Sequence, residues 1–251
     1  MSRNELISPE GLRLDGRRAN ELRRHTAKLG PLSQADGSAF LQHGHTKALA
    51  AVYGPREPRH RAQAMHDRAY LNIEFSVAPF ATGERKKRSK SDKRLLEMAY
   101  FVKQTFEPVV MTHLYPRSQI DLYIQILQDD GGALHAAINA STLALIHAGI
   151  PMKDYVCAVS VCSYKDLSLL DLNRMEENTE YADLTVAVLP KSGDIALLQM
   201  ESRLHADHFM DLMNLSVAGC RQIWKTLDGL VRENGEGEQQ RASEVAMVLE
   251  K

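Results

Sequence analysis

The stretch Gln128-Asp129-Asp130-Gly131-Gly132 runs directly into an apolar segment that begins Ala133-Leu134. Paired glycines at the mouth of a helix turn free backbone N–H groups and the positive end of the helix dipole outward, an arrangement that suits a phosphate group. A phosphate seat usually adds a hydroxyl and a cation beside those amides. Ala133 and Leu134 supply neither. Taken by itself, the turn is more simply a tight strand-to-helix connection that needs glycine for packing.

Three other stretches carry residue types that do chemistry. From Arg85 to Arg94 there are seven Lys or Arg against the single Asp92. Arg85, Lys86, Lys87 and Arg88 suit a solvated loop. Lys93 and Arg94 fall near the first turn of a helix, where a cation opposes the macrodipole by about 0.3–1 kcal/mol. That placement fits an external anion such as an RNA backbone. In Leu169–Val188, the carboxylates Asp171, Glu176, Glu177, Glu180 and Asp183 crowd what reads as a loop before a strand. Paired carboxylates hold Mg²⁺ or act as general acids, and an ordinary acidic surface loop has the same spacing. In Tyr115–Asp121, Arg117 can extend a basic path or simply face solvent. His43, His45, His135 and His147 have no ligand spacing and no nucleophile beside them, so they are expected to be structural.

The elements that must position these residues follow from periodicity. Leu71–Val77 and Ile120–Ile126 alternate as strands, and Val156–Tyr164, Leu184–Leu189 and Ile195–Met200 look like three more. Ala39–Tyr53 reads as a hairpin with its turn at His43–Thr46. Leu95, Ala99, Val102 and Phe106 make a helical stripe that stops before Pro108. Ala133–Ala148 is apolar on nearly every side and should be buried, with Gly149 and Pro151 ending it. A third helix spans about Asp207–Val231. The expected architecture is one α/β domain over residues 1–232, followed by a polar, flexible tail over 233–251.

Composition bounds the function. The chain has 251 residues, 44% hydrophobic content, 25% charged content and a formal net charge of −1. Near-neutral charge argues against a broad nucleic-acid-binding face and for a confined anionic path. No apolar run approaches the roughly 20 residues of a membrane span, and no secretory signal opens the chain. Cys157, Cys162 and Cys220 have neither metal nor redox spacing and read as reduced thiols in a cytosolic or nuclear protein.

Taken together, Leu12–Arg18, Ala35–Arg59, the basic run, Tyr115–Asp121, the glycine turn with its helix, and Leu169–Pro190 resemble the RNase PH family in order and spacing. The resemblance implies a compact α/β domain of βαβ-type units (an α+β class with mixed sheets and packed helices), six of which form a ring around an RNA channel. Active members cut RNA from its 3′ end with inorganic phosphate, held by Thr or Ser and Arg after the two glycines. Ala133 and Leu134 stand at those positions, Asp183 matches the family's acidic pair, and Glu177 stands where the family has Asp. Lys93 and Arg94 correspond to a basic pair that contacts RNA. The expectation is a non-catalytic RNA-threading subunit of the exosome ring, with an active phosphate-dependent exoribonuclease as the alternative. An unrelated metal hydrolase built on Asp171, Glu177 and Asp183 is a third possibility. Implied partners are single-stranded RNA, RNase PH-type ring subunits including a heterodimer mate, S1/KH cap subunits and hydrolytic nucleases. No cofactor, metal or membrane is expected, and the implied locations are nucleus, nucleolus and cytoplasm.

Overall fold

Alternating apolar and polar positions sort the strands into two sheets around one buried helix. The computed structural model describes residues 6–8, 10–58, 65–85, 92–164, 167–179 and 181–249. The first sheet contains β1 (His25–Leu29), β2 (Gly37–His43), β3 (Thr46–Arg56), β4 (Tyr70–Val77) and β5 (Gln119–Gln128), in the order β1-β2-β3-β5-β4. β2 and β3 form the expected hairpin, and Gly44 turns it at φ 59°. β4 and β5 are parallel neighbours. Helix α1 (Lys93–Phe106) makes the crossover between them, as a parallel pair requires.

The second sheet is antiparallel, ordered β7-β6-β8-β9, from β6 (Cys157–Tyr164), β7 (Leu167–Leu170), β8 (Ala182–Val188) and β9 (Ile195–Met200). Helix α2 (Ala133–His147) lies between the sheets, packing on β2 and β3 of one and on β6 of the other. Its first thirteen residues are buried, which accounts for an apolar sequence on every side. Ile138, Leu143 and Leu145 are fully buried, and each contributes about 1.5–3 kcal/mol. Asn139 is held in this core because it exchanges two hydrogen bonds with the Ala158 backbone, at 2.9 and 2.8 Å. Those bonds also fix where α2 crosses β6.

Helix α4 (Ala206–Leu249) covers the other face of the second sheet. Its backbone stays helical through Glu233–Gln240, a segment with the composition of a tail; Glu and Gln favour helix there, and Gly235 and Gly237 weaken it. Residues of both sheets and of α1, α2 and α4 share one hydrophobic cluster.

The stretch Leu169–Val188 is not a loop. It contains the end of β7, the four-residue helix α3 (Arg174–Glu177) and all of β8. Helix α3 is set by a full capping box between Asn173 and Glu176. Such short elements leave no periodic trace in sequence.

A candidate RNA-binding cleft at the N-terminus of helix α2

Where β5 ends and α2 begins, a cleft of about 770 Å³ opens between α1, α3, β8 and β9. Gly131 and Gly132 form the turn at its edge, with φ of 84° and 71°. Both glycines are required by their surroundings. A Cβ on Gly131 would lie 2.6 Å from the Asn173–Arg174 backbone, and one on Gly132 would strike the His135 ring at 1.9 Å. The bland account of the turn is therefore correct as far as packing goes. The cleft is lined in addition by Arg94, Arg174, Asp129, Glu177 and Asp183.

Each of these side chains has a structural reason to be there. Arg94 sits in the first turn of α1, whose N-cap Asp92 accepts the Arg94 amide at 3.2 Å. The Asp92 carboxylate supplies the negative charge at that helix end, so the basic pair there does not by itself demand an external anion. Arg174 opens α3 and donates to the Asp129 carbonyl at 3.3 Å. Glu177 closes α3, and its carboxylate accepts the Gly132 amide at 3.3 Å. Asp183 starts β8 beside Ser202, whose hydroxyl accepts its amide at 3.2 Å.

The two carboxyls share a tendency. Restricted access to water, then the nearby Asp129 carboxylate, push the Glu177 pKa upward, opposed by the Gly132 amide and by Arg94. Desolvation, then Glu201, raise Asp183 in the same way. Carboxyls held closer to neutral protonation than usual are suited to giving or taking a proton in a reaction. With Asp129 they are also donors of the type that hold Mg²⁺.

Other expected site residues are not brought here. Lys93 is exposed on α1 beside the cleft rather than lining it, and Arg85 is exposed on the approach to α1. Lys86, Lys87, Arg88 and Glu180 lie outside the described residues. Arg117 precedes β5 at the opposite end from the glycine turn, roughly 30 Å away at about 3.3 Å per strand residue. It adopts φ 57° and its amide is bonded to the Met65 carbonyl at 3.0 Å. Within this chain it does not extend a basic path from Arg94.

The acidic group of the sequence splits into two kinds. Glu176 is fully buried against Arg13. Asp171 is fully buried too, accepting from the Arg23 amide at 2.7 Å, Arg23 Nε at 3.0 Å and Arg23 Nη2 at 2.7 Å. A hydrolase built on Asp171, Glu177 and Asp183 is thereby excluded, because Asp171 is committed to the core.

Asp171 gathers what the sequence scatters. His43 Nε2 lies 2.7 Å from its carboxylate, His135 Nε2 lies 3.6 Å away, and the His25 ring packs on His43 at 3.8 Å. Among the described residues, His43, His135 and Asp171 are the group whose donor atoms converge within 4.8 Å. A divalent cation there would sit against the Arg23 and Arg17 guanidiniums, which already contact Asp171; that repulsion makes it a poor metal site. The network instead supports the turn. Arg23 Nη1 donates to the Asp130 carbonyl at 3.0 Å, and Thr46 Oγ1 to the Gly131 carbonyl at 2.8 Å. Only the positive φ of Asp171, 60°, marks the place as special, and no sequence pattern reveals it. His147, whose Nδ1 accepts the Ser38 amide at 3.3 Å, is a lone structural histidine as expected, whereas His43 and His135, structural too, are clustered on Asp171 rather than scattered.

Comparison with known proteins adds the family. The model of the RNase PH family, described as a 3′ exoribonuclease family, matches residues 21–151 with its domain 1 and residues 154–219 with its domain 2. The chain is similar to "Exosome complex component RRP41" of Bos taurus, with 49% identity over 92% of this chain and 94% of that one. It is 42% identical to "Exosome complex component Rrp41" of Thermococcus kodakarensis, over 88% of each chain. A subunit in the structure "archaeoglobus fulgidus exosome with RNA bound to the active site" shares the fold, with a TM-score of 0.74, 22% identity, and 86% of this chain and 93% of that chain covered.

These matches correct one expectation. The exchange of the phosphate-holding pair for Ala133 and Leu134 does not make this chain a non-enzyme. Both halves fall in a 3′ exoribonuclease family, and an archaeal relative bears the same component name as the animal one. That fits an active exoribonuclease more than an inactive one. Two side chains are lost from a cleft that keeps the glycine amides, Arg94, Arg174 and both carboxyls.

Proposed function

Because the chain belongs to the RNase PH family, we propose that it is a core ring subunit of an RNA exosome whose cleft receives the 3′ end of single-stranded RNA for phosphate-dependent 3′→5′ cleavage. The observation that carries this reading is the convergence, on one cleft, of the helix-α2 glycine turn, Arg94 and Arg174, and the carboxyls Glu177 and Asp183. The guanidiniums suit phosphate groups, which position RNA without reading its sequence. The raised pKa values of the two carboxyls fit proton transfer to the leaving 3′ oxygen. Lys93 and Arg85, both exposed, extend the approach for the incoming strand. Ring neighbours of the same family, cap subunits and hydrolytic nucleases are the partners this role requires, in nucleus, nucleolus and cytoplasm.

The test uses the ring reconstituted with its neighbouring subunits, uniformly labelled single-stranded RNA, Mg²⁺ and inorganic phosphate. Phosphate-dependent release of nucleoside diphosphates is expected, and Asp183→Asn should abolish it. A ring that binds RNA through Arg94 yet releases no diphosphate at any phosphate concentration overturns the cleavage assignment. Failure of the chain to enter a ring overturns the subunit assignment.

A further inference from the structure

The amide of Gly132 is the donor that the geometry of the turn offers to a phosphate group, and it is already taken. Glu177 Oε2 accepts it at 3.3 Å, long for a charged hydrogen bond. The neighbouring Gly131 amide goes to Asp129 at 3.3 Å. Helix α2 is fifteen residues long, so its N-terminus carries a developed dipole. A second polar group lies beside this seat. His135 is 1% exposed, lines the same cleft with its ring beneath Gly132, and has no hydrogen bond to either ring nitrogen among the described residues.

We propose that Glu177 is a built-in occupant of the anion seat at the start of helix α2, so that inorganic phosphate enters only by displacing its carboxylate from the Gly132 amide. This rests on the reading of the cleft given above and adds the residue that sets how strongly phosphate is held. The reach matters. Glu177 ends the one-turn helix α3, whose position is fixed by the capping box and by the Arg174 amide bonded to the Asp130 carbonyl at 3.0 Å. From that anchor a glutamate spans to Gly132, and a side chain one methylene shorter falls back. Ala133 and Leu134 add no polar group to hold phosphate against this competitor. The long contact is one that dianionic phosphate, with several acceptor oxygens, can replace.

The experiment measures inorganic phosphate binding to the full chain in its reconstituted ring by calorimetry. Glu177 lines the cleft and lies outside the hydrophobic core, so its substitution leaves the core intact. Glu177→Gln should tighten phosphate binding by about tenfold, the scale of one charge-assisted hydrogen bond lost by a competitor. Glu177→Asp should tighten it as well, because the shorter carboxylate no longer reaches the amide. Glu97→Gln removes the same charge from the same cleft without freeing an amide, and should change binding by less than about threefold. Equal affinity in the parent and in Glu177→Gln overturns the proposal, as does an equal gain from Glu97→Gln, which would show a general charge effect. Binding of single-stranded RNA, measured in parallel and lost on Arg94→Glu, reports on the cleft itself. If that persists while phosphate affinity ignores Glu177, the cleft reading stands and only the role of Glu177 falls.

Discussion

Asp171→Asn removes one charge from the centre of the network under the glycine turn while changing little else. Asparagine has the shape of aspartate and tolerates the left-handed φ of 60° found there, so the backbone has no reason to move. Arg23, only 7% exposed, is then left with its guanidinium buried and its counter-charge gone. Breaking a buried pair from one side costs about 3–5 kcal/mol, since the orphaned charge keeps its full desolvation penalty. For a chain whose total stability is on the order of 5–15 kcal/mol, that is a large share. Urea unfolding of the full chain followed by far-UV circular dichroism gives the loss directly. Hydrogen exchange supplies a local readout, because the Gly131 and Gly132 amides should exchange faster once Arg23 no longer holds the Asp130 carbonyl. Adding Arg23→Met should recover most of the stability, because no uncompensated charge remains. A loss below about 1 kcal/mol for Asp171→Asn, or no recovery in the double variant, refutes the assignment of Asp171 as the electrostatic anchor of the turn.

Acid should destabilise the fold from just below neutrality. Burial pulls His25 down to about 3, lowers His43 and lowers His135 well below its ordinary value. The unfolded chain therefore takes up protons first as pH falls through about 6.5, and His25 by itself costs about 2 kcal/mol by pH 5, with His43 and His135 acting in the same direction. Burial also disfavours the Asp171 charge, but His43 and Arg23 outweigh it and hold its pKa well below the carboxylate range. Its contribution is complete above about pH 4 and fades beneath that. Urea midpoints that stay level from pH 7 to pH 5 would contradict this. The three cysteines are buried, and burial raises Cys157 well above its ordinary value and Cys162 and Cys220 to about 12. Thiol reagents should modify the native chain only as fast as it unfolds, and rapid labelling without denaturant would show otherwise. Lys93→Glu with Arg94→Glu should leave stability within about 0.5 kcal/mol, both being exposed. The same double variant should weaken RNA binding by the ring and flatten its salt dependence; unchanged binding at moderate salt would make the pair a solvated helix end.

The sequence by itself determined the long elements. Alternation fixed β4, β5, β6, β8 and β9 to within two residues, and the all-round apolar segment Ala133–Ala148 could only be a helix covered on every side. Local rules also placed Arg94 in the first turn of α1 and the glycines at the mouth of α2. The short elements β7 and α3 were beyond such rules, because their stability comes from pairing and capping rather than from their own period. Side-chain partnership was decided by tertiary structure alone. Asp171 and Glu177 are both acids in one acidic stretch. One ends in the core on Arg23, 148 residues away in sequence, and the other ends on the Gly132 amide, 45 residues away. His43 and His135 met for the same reason, on a β-hairpin and a helix that only the packing of α2 against β2 and β3 brings together. Periodicity reports which face of an element is buried; which charge waits on the other side depends on contacts between distant segments, and these leave no local pattern to read.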